Sequence, residues 1–156
     1  MQALKTGQES IAEVASGIKI EGVEGYNSSG AITKMAIEIA PRAGSPDVDL
    51  SQAIIEISDS SNKYVLRYGG AAAASTDVNG DLFGVTNFGS ATDFDIVVLQ
   101  DADGSCSSTT PIINFGDHVV LGLDIDGVFS GNSGIGPRTD VAGMAVSYTH
   151  LTLPTN

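Results

Sequence analysis

Apolar and polar positions along this chain change their spacing once, at Gly17. Before it, Leu4, Ile11, Val14 and Ile18 recur at i, i+7, i+10 and i+14, a spacing that lines one face of a 3.6-residue period. Lys5, Gln8, Glu9 and Glu13 fall on the other faces, and Gly17 stands where a C′ glycine would end a helix. Met1-Gln2-Ala3 are helix formers without a capping residue ahead of them. The pattern therefore predicts a helix over 1–16 that opens in mid-period, as the tail of a longer one would.

After Gly17 the period is two. Ile18 and Ile20 alternate with Lys19 and Glu21, and the strand they predict runs to about Tyr26 before the turn Asn27-Ser28-Ser29-Gly30. Met35, Ile37 and Ile39 give a second strand, ended by Pro41. Ala53, Ile55 and Ile57 mark a third, and residues 64–68 a fourth. Low-complexity Gly/Ala over 69–75 and an Asp/Asn/Gly-rich stretch over 77–90 predict a long loop, with one short edge strand near 82–86. Phe94, Ile96 and Val98 mark a strong strand whose other face is also partly apolar. Residues 101–110 read as a loop. Val119, Leu121, Leu123 and Ile125 form the clearest alternation, followed by Asp126-Gly127, a dipeptide favoured in two-residue hairpin turns. A last strand falls within 139–145. Seven or eight short strands separated by turn residues predict an all-β fold, an immunoglobulin-like β-sandwich or small barrel, behind the tail of an N-terminal α-helix.

Composition narrows the partners. A net charge of −12 with only seven Lys and Arg excludes a nucleic-acid partner, because such binding draws its affinity from basic side chains neutralising phosphates. It also disfavours anionic lipid and favours cations. One cysteine, Cys106, allows no intrachain disulfide. No run approaches the roughly 20 apolar residues that span a bilayer.

The junction Thr6-Gly7-Gln8-Glu9, running from polar helix into first strand, resembles that of archaellins, the archaeal flagellins. Asp49-Leu50-Ser51, Asp81-Leu82-Phe83-Gly84-Val85, Gly116-Asp117-His118-Val119-Val120-Leu121 and Gly136-Pro137-Arg138-Thr139-Asp140 extend the resemblance, in order, over roughly residues 2–145. The resemblance implies a hydrophobic N-terminal helix akin to type IV pilins, buried in a filament core, and an outward β-domain. It also implies a cleaved signal peptide, frequent N-glycosylation, export to the cell exterior, self-association into a helical homopolymer, and contact with the archaellum assembly machinery. Membrane contact would come only through the hydrophobic helix before assembly. On this reading residues 1–17 are the remnant of the core helix, whose apolar half precedes Met1, and 18–145 are the outer domain. Without that half the polypeptide alone is not expected to polymerise. Residues 146–156 read as a non-native tail, because Val146-Ser-Tyr-Thr-His-Leu-Thr-Leu-Pro-Thr155 matches one reading frame of a transposon adapter used in sequencing libraries. The alternative is a genuine strand through Tyr148 and His150.

Several residues carry candidate chemistry. Asn27-Ser28-Ser29 is the only Asn-X-Ser/Thr sequon in the chain and lies at a turn, as a glycosylation acceptor requires. Asp77, Asn79 and Asp81 occupy positions 1, 3 and 5 of a calcium-loop pattern, where alternate oxygens converge on one ion. Leu82 replaces the expected Gly and Phe88 the expected Glu, so plain Asx turns are the competing reading. Asp101-Ala-Asp103-Gly104 and Asp124-Ile-Asp126-Gly127 are shorter versions of the same pattern. Gly131-Asn132-Ser133-Gly134 is similar to a serine-nucleophile turn, but the one histidine outside the tail, His118, lies close upstream on a chain too short for the fold that carries that triad. It reads as a glycine-rich loop. Asp117-His118 opens a strand, and Cys106 is a spare thiol in a polar loop. Leu4, Ile11 and Val14 form the face expected to meet neighbouring subunits. Nothing here makes an enzyme, and no cofactor is expected beyond a divalent cation such as Ca²⁺. The leading function is a structural filament subunit for motility, and the alternative is a secreted carbohydrate- or cation-binding adhesion module.

Overall fold

The computed structural model describes residues 11–14, 17–86, 88–129, 134–136, 139 and 141–147. Ten strands are present among them: β1 (Ile11–Val14), β2 (Ile18–Ser28), β3 (Ala31–Pro41), β4 (Val48–Asp49), β5 (Ala53–Ser58), β6 (Lys63–Ala74), β7 (Asp93–Gln100), β8 (Ile112–Ile113), β9 (His118–Leu123) and β10 (Ala142–Ser147). Two single-turn helices accompany them, α1 (Ser75–Val78) and α2 (Ile125–Val128).

Eight strands form one sheet in the order β1-β10-β5-β6-β7-β9-β3-β2, and β4 pairs with β8 in a separate two-residue ladder. The alternation read from the sequence is the alternation of burial. On β5, Ala53, Ile55 and Ile57 are buried between half-exposed neighbours, because successive side chains of a strand point to opposite faces. These side chains join Ile37 and Ile39 of β3, Leu66 of β6, Phe94 and Ile96 of β7, and Val119, Leu121 and Leu123 of β9 in one interior cluster. Val48, Leu50, Ile113, Ile125, Val128 and Phe129 belong to the same cluster. The Tyr64 and Phe129 rings meet edge-on at 4.9 Å.

The sheet curls, and β10 and β2, from opposite ends of its order, come near each other. The all-β expectation holds in this form, as a curled, open half-barrel. The closed immunoglobulin-like arrangement is not seen among the described residues: the large strands form one continuous sheet, not two facing ones.

A second, smaller cluster lies on the opposite face of the same strands. Ala36 of β3, Val97 of β7 and Val120 of β9 are covered there by Val85 and Phe88, with Val78, Leu82 and Phe83 packed alongside. The covering residues belong to the crossover between β6 and β7, which run parallel and so need a connection that leaves the sheet and returns. This explains why β7 and β9 read as nearly continuous apolar runs: they are buried on both faces.

Several expectations need correction. Ile11 and Val14 are not helical but extended, in parallel register with Gly143 and Ala145 of β10. Leu4 lies outside the described residues. Gly17 does take the left-handed conformation (φ +83°), but between two strands, where a Cβ would stand 2.8 Å from the Ser45 Cβ. The Gly/Ala stretch expected as loop belongs to β6, which pairs with β7 as far as Ala74 across an irregularity between Tyr68 and Ala72. Pairing with β7, the packing of Ala72 and Ala73 on opposite faces, and the Ala71 N–H donated to Asp95 Oδ1 hold it there, and period-two reasoning has no signal in a run of alanines. Residues 82–84 form a 3₁₀ turn, not an edge strand. Asp126-Gly127 lies inside α2, not in a hairpin turn, since Asp124 caps that helix by accepting the Gly127 N–H at 3.1 Å. Finally, β10 runs two residues past 145, with Val146 and Ser147 opposite Ile54 and Ala53. The proposed extension through Tyr148 and His150 lies outside the described residues.

Candidate functional site

The loop joining β7 to β8 and the turn joining β8 to β9 come together at one end of the sheet. Asp101 opens the first as an Asx turn: its Oδ1 accepts the Gly104 and Ser105 N–H groups at 3.0 and 3.2 Å, and its Oδ2 the Cys106 N–H at 3.0 Å. Asp103 accepts the Ser105 N–H at 3.1 Å and an Asn114 side-chain N–H at 2.8 Å. The Asn114-Phe115-Gly116-Asp117 turn closes with the Asp117 N–H donating to the Asn114 carbonyl, while the Asn114 N–H returns to Asp117 Oδ2 at 2.9 Å. Short polar side chains capping their own turns make both loops rigid.

The outcome is a group of three carboxylates, Asp101, Asp103 and Asp117, each offering an oxygen within 4.8 Å of the others. Their environments differ. Asp103 is exposed, and the Asn114 side chain together with Ser105 holds its carboxyl down to about 2. Asp117 is only 1% exposed. Burial pushes its carboxyl up, the charges of Asp101 and Asp103 push the same way, and the Asn114 and Ala102 amides oppose them. Asp117 Oδ1 is fully buried and receives no hydrogen bond. Buried oxygens without a donor are rare because desolvating them costs about 1–3 kcal/mol. Three hard oxygen ligands, one of them unsatisfied, offer coordination to a divalent cation. Cys106 lies in the same loop, as expected, and is free, but its side chain is buried. Burial and the charges of Asp101 and Asp117 raise its thiol to about 12, so it is inert as a nucleophile.

The sequence pattern Asp101-Ala-Asp103 is thus half of the cluster. Asp117 was read only as opening a strand, and the signal for it was the Asn-Phe-Gly-Asp turn, which nothing local ties to a loop sixteen residues earlier. The other candidates lie elsewhere. Asp77 Oδ2 accepts the Ala74 N–H at 2.8 Å at the start of α1. Asn79 is left-handed (φ 46°), and Asp77, Asn79 and Asp81 are all exposed. Asn27 sits exposed at the end of β2, its Oδ1 accepting the Gly30 N–H at 3.1 Å. His118 is engaged by Glu21, Nδ1 to Oε1 at 2.7 Å. Residues 131–133 lie outside the described residues.

The fold defines an all-β half-barrel domain whose acidic loops are capped by their own side chains. The family profile for archaeal-type flagellins matches residues 1–150. The chain belongs to that family and is a structural, non-catalytic subunit of the archaellum filament, extracellular and serving motility.

Flagellin B2 of Methanocaldococcus jannaschii is 43% identical over 151 residues, covering 93% of this chain and 67% of that protein. Flagellin B1 of Methanococcus voltae is 38% identical, covering 91% and 66%. The chain therefore spans about two thirds of the length of these relatives. The crystal structure of archaeal flagellin FlaB1 from M. jannaschii superposes with a TM-score of 0.74 at 32% identity, covering 85% of this chain and 86% of that one. These matches set aside the adhesion-module alternative.

Proposed function

We propose that the half-barrel is the outward-facing part of a self-polymerising subunit, and that Asp101, Asp103 and Asp117 hold a divalent cation of the Ca²⁺ type that fixes its β7–β8 and β8–β9 loops. The buried, donor-free Asp117 Oδ1 carries the cation reading. A carboxylate in such a place costs stability until an ion supplies what water no longer does. Ca²⁺ accepts six to eight oxygens in flexible geometry and suits ligands drawn from two loops. Asp77, Asn79 and Asp81 are the weaker candidates, since none is buried and Asp77 already caps α1.

Subunits joined through two different surfaces build an open helix where the rotation between them does not close a ring, the form of assembly that a filament of a single repeated chain needs. Contact with the assembly machinery, membrane contact before assembly, and contact of Leu4, Ile11 and Val14 with neighbouring subunits belong to the same proposal. The last stands without the helical face first read for it, since Ile11 and Val14 are extended in β1. Glycosylation of Asn27 is supported by its exposure on the β2–β3 turn.

Electron microscopy of the subunit expressed from its complete coding region, with and without a chelator, tests both parts. Filaments are expected, with loops around Asp117 that loosen when the ion is removed. Absence of filaments overturns the assembly reading. Calorimetric titration with Ca²⁺ showing no saturable binding that Asp117→Asn abolishes overturns the cation reading.

A further inference from the structure

The crossover covers only half of the outward face of the sheet. Among the described residues it lies over β3, β9, β7 and Ala73 of β6, and leaves Val65 and Arg67 of β6 exposed. Val65 is 44% exposed there, Arg67 follows it on the same side of β6, and Ile54 stands directly opposite Arg67 on β5. Among the described lysines and arginines, Lys19 and Lys63 have carboxylate partners, while Lys34 and Arg42 donate to backbone carbonyls. Only the Arg67 guanidinium has no such contact; Asp93 faces it across the β6–β7 ladder without forming an ion pair. On a chain of net charge −12 this leaves a guanidinium without a carboxylate partner beside the exposed Val65 and the half-buried Ile54.

The opposite chemistry stands at the end of the sheet. Phe115, at the tip of the β8–β9 turn, is 86% exposed, the most exposed large apolar side chain among the described residues. The residue before it, Asn114, is hydrogen-bonded to Asp103, so an aromatic ring projects from a carboxylate-bearing loop. A divalent ion would leave this loop still negative, since three carboxylates exceed its charge by one.

We infer that these two patches are the halves of one contact between copies of this chain, with Phe115 of one subunit seated on Val65 and Ile54 of the next and its acidic loop facing Arg67. The inference rests on the filament reading and names a surface for it. Apolar meets apolar and anion meets cation. Aromatic and arginine side chains are also those that dominate protein contacts. Because the patches are different surfaces of one subunit, the contact is heterologous and propagates instead of closing on a dimer.

Paired cysteines test it in the subunit expressed from its complete coding region. The Val65→Cys/Phe115→Cys variant, oxidised after assembly, is expected to give a ladder of covalent oligomers, and neither single variant should. Cys106 is buried and does not compete. Phe115→Ser and Arg67→Glu are each expected to raise the concentration needed for assembly about tenfold or more, with unchanged melting temperature because both side chains are exposed. Filaments of the double-cysteine variant that yield no ladder overturn the contact, as does normal assembly of both Phe115→Ser and Arg67→Glu. A wild-type subunit that makes no filaments overturns the filament reading on which the contact depends.

Discussion

The Phe88 ring lies flat against the backbone of Gly122, so close that a Cβ built there would stand 3.0–3.2 Å from three of its ring carbons. A residue of the crossover thus rests directly on central strand β9. The side chain that would normally separate them is missing. That approach is one of the contacts that hold the crossover on the sheet.

Gly122→Ala therefore forces the ring outward. An alanine gains about 0.4–1 kcal/mol by restricting the unfolded chain, but overpacking a filled site costs typically 1–3 kcal/mol. Phe88 is 5% exposed and hemmed in by Val85, Val97 and Val120, so the cost is expected to win by about 1 kcal/mol. Denaturant unfolding reads the loss. A Phe88→Leu second substitution should recover part of it, and strict additivity of the two would show that ring and methyl never meet.

Lys34 fixes the crossover from the other side. Its Nζ donates to the Phe83 carbonyl at 2.7 Å and stands 5.9 Å from the centre of the Phe88 ring. Lys34→Met keeps the aliphatic stem and removes both attractions, at a cost of about 1–2 kcal/mol. The effect should be local. Hydrogen exchange is expected to speed up at Val85 and Gly84 while the interior of β5 stays protected. Equal acceleration in both places would mean that the crossover does not open separately.

Asp117 gives a pH prediction whose sign follows from its burial. Its carboxyl titrates above the ordinary 3.8 when folded, so without a cation the folded chain holds this proton more tightly than the unfolded one. Stability from this group is complete below about pH 4 and declines as pH rises through the raised value. Asp117→Asn cannot titrate. In chelator, it should match the wild type near pH 3.5 and equal or exceed it at pH 7. With Ca²⁺ at a hundredfold excess over its Kd the order reverses, the wild type gaining about 2.7 kcal/mol. Thermal melts in the four conditions decide this, and a wild type indifferent to Ca²⁺ would refute the reversal.

The His118–Glu21 pair is the shortest ion pair among the described residues at 2.7 Å, yet the two side chains are 42% and 29% exposed. Such surface pairs contribute roughly 0–1 kcal/mol. His118→Ala should shift the melting temperature by no more than a few degrees. A larger loss would mean that the pair anchors β2 against β9.

What could be read in the sequence follows from the range of each interaction. Strands β3, β5, β7 and β9 were legible because one face of each meets the core, and alternation records that directly. Strand β6 past Tyr68 was not, since Ala72 and Ala73 pack on opposite faces and a run of alanines shows no alternation between them. The helical spacing of Ile11 and Val14 coexists with an extended backbone because parallel pairing with β10 lies far away along the chain. The acidic loop was half legible for the same reason. Asp101 and Asp103 are neighbours in sequence, while Asp117 joins them only after β8 folds back. The order β10-β5-β6-β7-β9-β3 had no local signal at all.

That order also bears on how the subunit is made. The hydrogen-bonding edge of β5 is finished only by β10, whose Ala142 carbonyl meets a side chain 84 positions earlier. Until the ribosome has delivered β10, Ile55 and Ile57 sit beside an open ladder, the kind of edge that recruits stray strands and aggregates. Long-range closure of this sort is slow. Closing β5 with a strand 84 positions away makes completion of the sheet a late event in the folding of the domain.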